Sequence, residues 1–192
     1  MTSREIKIAK AVRLEFESKT QQTLARLIKD FETNKNSILA SFQRAIAIGL
    51  KNVAEARPQK GKINFICISF LLTSVLSDKC EYRIDFYNNN FYLDEIESEC
   101  YWEAEFLTPI MQDDYTFFER LLKRNLVRVM DYEIHKTVVS FSIFYHSVMA
   151  FFFQELIASI DIKQYEGLLE SEVIVIYGGF LDKGVQLTVL RD

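Results

Sequence analysis

Residues 3–56 hold no proline, and their only glycine is Gly49. Apolar side chains recur along them at Ala9, Val12, Phe16, Leu24, Leu27, Phe31, Ile38, Phe42, Ala45 and Val53. The steps are three and four once Thr20, Asn34 or Lys35, and Gly49 fill the gaps. That is the spacing of an amphipathic helix. Pro58 is expected to stop it after Arg57, because proline drives the preceding residue out of the helical region. Fifty helical residues span about 75 Å, whereas a compact chain of 192 residues is about 40 Å across. The helix must therefore break, or project and pair with another chain. Thr33-Asn34-Lys35-Asn36-Ser37 is the expected break, with Asn36 or Ser37 capping a second helix. Two helices are the preferred reading and one projecting helix is the alternative.

The chain then changes character. Ile63 to Leu76 is apolar and rich in Ile, Phe and Leu, and Ser77-Asp78-Lys79 reads as a turn. Cys80, Tyr82, Ile84 and Phe86 alternate with Glu81, Arg83, Asp85 and Tyr87, as in a half-buried strand. Asn88-Asn89-Asn90 reads as a turn, since Asn tolerates positive φ, and Phe91-Tyr92-Leu93 as the start of another strand. The rings beside the Asn run are expected to enter the core; an aromatic recognition loop is the alternative. The cleanest alternation follows. Ile96, Ser98, Cys100, Trp102, Ala104 and Phe106 share one face, and Glu97, Glu99, Tyr101, Glu103 and Glu105 the other. A sheet with one such wet face is antiparallel and covered on one side only.

Pro109 closes this part, and Asp113 or Asp114 is expected to open a helix carrying Phe117, Phe118, Leu121, Leu122 and Leu126. Residues 132–160 lack Gly, Pro and turn clusters, so length favours helix there despite a β-branched stretch at 138–145. Val173 to Tyr177 reads as a strand that Gly178-Gly179 loosens or bulges. Asp182-Lys183-Gly184 reads as a hairpin turn and Val185 to Leu190 as the return strand. The expectation is one α+β domain over 1–192: helical 1–57, a β-meander over 61–107, helical 112–160 and a hairpin over 172–190. An antiparallel sheet of about five strands is covered on one face by helices, with a long or broken N-terminal helix.

Charge is unevenly spread. Residues 1–62 carry 13 Lys and Arg against 6 Asp and Glu, and residues 63–192 carry 10 against 21. The basic segment is expected to pack on the acidic remainder, or both to be solvated. The alternative is anion or nucleic-acid binding through Arg4, Lys7, Lys10 and Arg13. Nucleic acid is disfavoured, because the cations are dispersed and no zinc-finger or RNP-type motif is present. Thr137 to Gln154 contains 18 residues without a charge, but its Ser, Tyr, His and Gln side chains point to a core element rather than a membrane span. No apolar leader follows Met1, and three cysteines make no disulfide framework, so a cytoplasmic setting is expected.

Motifs for phosphate cradling, metal-dependent hydrolysis, calcium binding and serine hydrolysis are missing, and no family resemblance emerges. A helix over 131–153 would line Asp131, His135, Ser142 and His146 into one polar stripe, but the two histidines lie about 16 Å apart along it, too far for one metal. No catalytic residue, metal or cofactor is therefore expected. The leading expectation is a non-catalytic protein-binding module, of regulator, adaptor or immunity type, docking through Glu97, Glu99, Tyr101, Glu103 and Glu105. An enzyme with dispersed groups around His135 or His146 is the alternative. A homodimer through the N-terminal helices is compatible with either.

Overall fold

The computed structural model describes residues 2–71, 73, 79–179 and 184–191. Helix α1 runs unbroken from Ser3 to Lys60, 58 residues or about 87 Å at 1.5 Å each. Thr2 and Glu5 form a reciprocal capping box at its start, and Gly61, at φ 78°, ends it. The expected break at 33–37 is absent. Asn34 Nδ2 donates to the Asp30 carbonyl one turn back, so its amide is satisfied inside the helix. Phe31 and Ile38, on either side, are buried and hold the backbone in place. Nor does Pro58 stop the helix. It sits in the last turn, where one lost donor is tolerated, and the helix runs on to the buried Lys60.

The length is absorbed within the chain. The N-terminal half of α1 runs along α2 (Thr108–Asn125) and α3 (Asp131–Ala158), and its C-terminal half lies on the sheet. The two α1 regions use different contacts. Along the helices, oppositely charged side chains face each other: Arg4–Glu133, Lys19–Asp114, Arg26–Asp113 and Lys35–Glu155. The basic segment does pack on acidic partners. Over the sheet, Gly49 allows close approach, since a Cβ there would overlap the Phe86 ring and the Cys100 sulfur. Ser41 accepts a hydrogen bond from Trp102 Nε1 at 3.0 Å.

The sheet comprises β1 (Ile63–Phe70), β2 (Glu81–Tyr87), β3 (Glu99–Glu103), β4 (Leu169–Gly179) and β5 (Val185–Arg191). Their order is β3-β2-β1-β4-β5. The meander and the closing hairpin are both present, but β1 and β4 pair in parallel, so the sheet is mixed rather than antiparallel. The reason is the connection. The chain returns to the sheet after two long helices, a crossover that lets β4 enter beside β1 in the same direction. A register shift between Val175 and Ile176 bends the β4–β5 ladder just before the glycine pair.

Three further expectations are corrected. Phe91–Leu93 is a 3-10 turn, not a strand. Helix α2 starts at Thr108, with Pro109 in its first turn, where proline fits without loss, so Asp113 and Asp114 lie inside it. The hairpin strands reach Leu169 and Arg191, beyond 172–190. The proposed turns at 77–78 and 182–183 fall outside the described residues. Residues 131–158 are helical, and their buried positions Ile134, Val138, Phe141, Tyr145, Met149, Phe153 and Leu156 step by three and four. Phe153 brings this helix to the sheet, 4.9 Å from Tyr82, 5.6 Å from Trp102 and 5.2 Å from Tyr177 between ring centroids. No helix among the described residues is long and apolar enough to cross a membrane.

Candidate interaction surface

The pleat of the meander sorts its residues onto two faces. Tyr82, Ile84 and Phe86 of β2, and Cys100 and Trp102 of β3, are buried beneath the helices. Their alternates emerge on the opposite face. Glu99, Tyr101 and Glu103 lie there in β3, opposite Asp85, Arg83 and Glu81 of β2. Glu97 and Glu105, just outside the strand, are exposed. Glu99, Tyr101 and Glu103 thus lie on the open face of the sheet, with Tyr101 48% exposed, while Glu97 in the loop before β3 and Glu105 in a 3-10 turn flank the strand instead of extending it.

One cation serves this face locally. Arg83 Nε contacts Asp85 Oδ1 at 2.7 Å and is flanked by Tyr101 across the ladder. Burial pushes the Asp85 carboxyl above its ordinary pKa. Arg83 opposes that rise, while repulsion from Glu99 and Glu97 adds to it.

The β2–β3 turn abuts this row. Asn90 N–H donates to the Asn88 side chain at 2.8 Å, and the backbone turns through Phe91 at φ 54°. Asp94 holds the turn from within. It accepts from the N–H groups of Asn88 and Ile96 at 3.0 and 3.1 Å, and from Lys60 Nζ at 2.6 Å. Burial works against its charge, but Lys60 and the two N–H groups outweigh it and hold its pKa below the ordinary value. The rings of Phe91, Tyr92, Tyr87 and Phe65 pack tilted or edge-on against one another outside the buried core rather than entering it.

The other expected sites are placed elsewhere. Arg4 is committed to Glu133 and to the carbonyls of Val127 and Arg128. Lys7 and Lys10 line a shallow hollow with Arg4, Ala11, Asn125, Leu126 and Val127, and Arg13 is exposed. These cations lie at the opposite end of α1 from the acidic row. His135 packs at 5.5 Å from the Tyr115 ring; the His146 side chain lies outside the described residues. Cys67, Cys80 and Cys100 are buried, and burial pushes each thiol up to about 12, where the nucleophilic thiolate is scarce at neutral pH. No group of three or more metal-ligating side chains occurs among the described residues.

No family model, curated protein or solved structure matches the chain.

Sequence reasoning missed one polar cluster. Asp114 is almost wholly buried, and Thr23 donates to both its oxygens at 3.1 Å, with Lys19 and Tyr145 completing the shell. Burial raises its pKa, and Lys19 opposes the rise. The cluster is fully partnered and joins all three helices. Its only sequence signal is Lys19 and Thr23 one turn apart on α1. A cleft of about 560 Å³ opens beside Lys19 and carries Arg120, Arg124, Glu15 and Asp113. Its charges of both signs compensate one another.

Proposed function

We propose that this protein is a non-catalytic binding module that presents the open acidic face of its sheet to a basic protein partner. The observation that carries this reading is the concentration of Glu97, Glu99, Glu103 and Glu105 around the exposed Tyr101. Carboxylates in such a row accelerate encounter with a cationic surface, and a tyrosine among them supplies contact area with few torsions to freeze. The high thiol pKa values and the absence of ligand clusters among the described residues sit better with binding than with catalysis. Free, buried cysteines suit the reducing cytoplasm, where we place the protein.

The test is affinity capture of the tagged chain from its own cell extract at low and high salt, followed by binding of the recovered protein to a variant. With Glu97, Glu99, Glu103 and Glu105 all changed to Gln, the partner is expected to bind more weakly and with a shallower salt dependence. Unchanged affinity in that variant would sink the reading.

A further inference from the structure

The turn between β2 and β3 keeps apolar groups in water by means that add little to the core. Phe91 occupies the left-handed region, which an aromatic side chain rarely adopts and which usually persists only where the surroundings enforce it. The enforcement comes from below. The side chains of Lys60 and Asp94 are 0% and 2% exposed, and Lys60 Nζ also donates to the Ile96 carbonyl. Asn88 Nδ2 donates to the Lys60 carbonyl at 2.9 Å, tying the turn to the end of α1. An ion pair withdrawn from water contributes little net stability, because desolvation offsets its attraction; its better-attested use is to fix one arrangement.

What it fixes here is a short apolar knob. Tyr92 packs its ring against Phe91 at 4.0 Å and Tyr87 at 5.5 Å, yet it is 69% exposed, and Leu93 is 82% exposed. Glu95 and Glu97 follow directly, both exposed, and lead into the Glu99–Tyr101 row. An exposed aromatic and aliphatic pair followed along the chain by Glu95, Glu97 and Glu99 has the make-up of an interface centre with an acidic rim. Because the turn is already ordered, docking it forfeits little conformational freedom.

We propose that Tyr92 and Leu93 are the anchor of an interface with a basic protein. The two side chains enter an apolar pocket on that partner, while Glu95, Glu97 and Glu99 meet cationic groups around it. This rests on the acidic-face reading and deepens it by naming the anchor and the partner's chemistry.

A photo-cross-linkable phenylalanine analogue placed at position 93, at 101, and at the exposed α1 position 48 of the full chain tests it in extract. The expected result is one basic protein linked from 93 and 101 but not from 48. Against that purified partner, Tyr92→Ala with Leu93→Ala weakens binding about 30-fold and leaves the salt dependence intact. Glu97→Gln with Glu99→Gln instead slows association and flattens the salt dependence. Thermal melting of the Glu97/Glu99 variant matches the parent, and that of the Tyr92/Leu93 variant falls only by the loss of the Tyr92 ring contacts to Phe91 and Tyr87, leaving the chain folded at the binding temperature. A cross-link from 101 without one from 93, or parental affinity in the Tyr92/Leu93 variant, removes the anchor and leaves the acidic face standing. No cross-link from either position removes both. A cross-link to an acidic protein, or to a second copy of this chain, also overturns the proposal.

Discussion

The two ends of α1 each support a loop that carries a residue at positive φ, and each does so with a basic side chain. At the C-terminal end Lys60 reaches Asp94 under the Phe91 turn. At the N-terminal end Arg4 grips Glu133 and the carbonyls of Val127 and Arg128, and Arg128 lies at φ 55°. The chemistry of the two braces differs. Lys60 is a point charge enclosed on all sides, beyond the reach of salt. Arg4 is a flat fork engaging a carboxylate with two nitrogens at 2.7 and 2.8 Å, and its side chain is 34% exposed. The sheet end is therefore built to hold one geometry under all ordinary conditions. The N-terminal end of α1 is held by a link that solvent conditions can weaken.

Removing the enclosed brace has the largest expected effect. Lys60→Met fills similar space but leaves Asp94 buried without its cation. Breaking a buried pair in this way costs about 3–5 kcal/mol, which in a chain of this size lowers Tm by roughly 6–20 °C. The double variant Lys60→Met with Asp94→Leu is expected to recover part of that loss, because no uncompensated charge remains. Melting curves that show no loss in Lys60→Met would mean the two ends are held equally loosely.

Between the ends, Gly49 measures how tightly α1 sits on the sheet. In an exposed helix, glycine to alanine stabilises by about 1 kcal/mol. Here the new methyl would run into Phe86 and Cys100, with the Phe86 Cζ only 2.7 Å and the Cys100 sulfur 2.8 Å away. Overpacking of that kind costs about 1–3 kcal/mol, so Gly49→Ala is expected to destabilise in urea titration. A gain in stability would show that helix and sheet have room between them, and would narrow the contrast between the two halves of α1.

The sequence discloses these two halves unequally. The alternation from Ile96 to Phe106 placed Ser98, Cys100, Trp102 and Ala104 inward and the glutamates outward, because a two-residue period belongs to a pleat and to nothing else. The stripe along 3–56 announces a helix, but its continuity is not legible: Asn36 and Ser37 are cap residues by type, and only their place between buried Phe31 and Ile38 decides otherwise. The parallel β1–β4 pair is hidden for a similar reason: the direction in which the chain re-enters the sheet is set by the two long helices before β4, and the apolar run Val173–Tyr177, buried at Val173, Val175 and Tyr177 and half-buried between, fits either direction. The turn at 91–93 depends on Lys60, thirty-four residues from Asp94, and no local pattern reveals so distant a support. The acidic row of the proposed docking face is visible in the sequence, whereas Phe91-Tyr92-Leu93 beside it reads there as a strand and folds as a 3-10 turn.

The half-exposed brace at the N-terminal end of α1 gives the smallest effect, and pH isolates it. Arg4, together with the Met130 N–H, lowers the Glu133 carboxyl from 4.5 to about 2. A depressed carboxyl contributes stability above its unfolded value. That contribution is full above about pH 4.5 and fades as pH falls through about 2. Carbon NMR titration of Glu133 should find its midpoint near the lower value in the intact chain and well above it in Arg4→Met, with Asp94 unmoved by the same change. Salt should raise the Glu133 midpoint and leave that of Asp94 in place, because screening acts on a partly wet pair and hardly on an enclosed one. A Glu133 midpoint near 4.5 in the intact chain would mean the N-terminal end of α1 is not clasped at all. A salt response shared by both carboxylates would erase the distinction between the two ends.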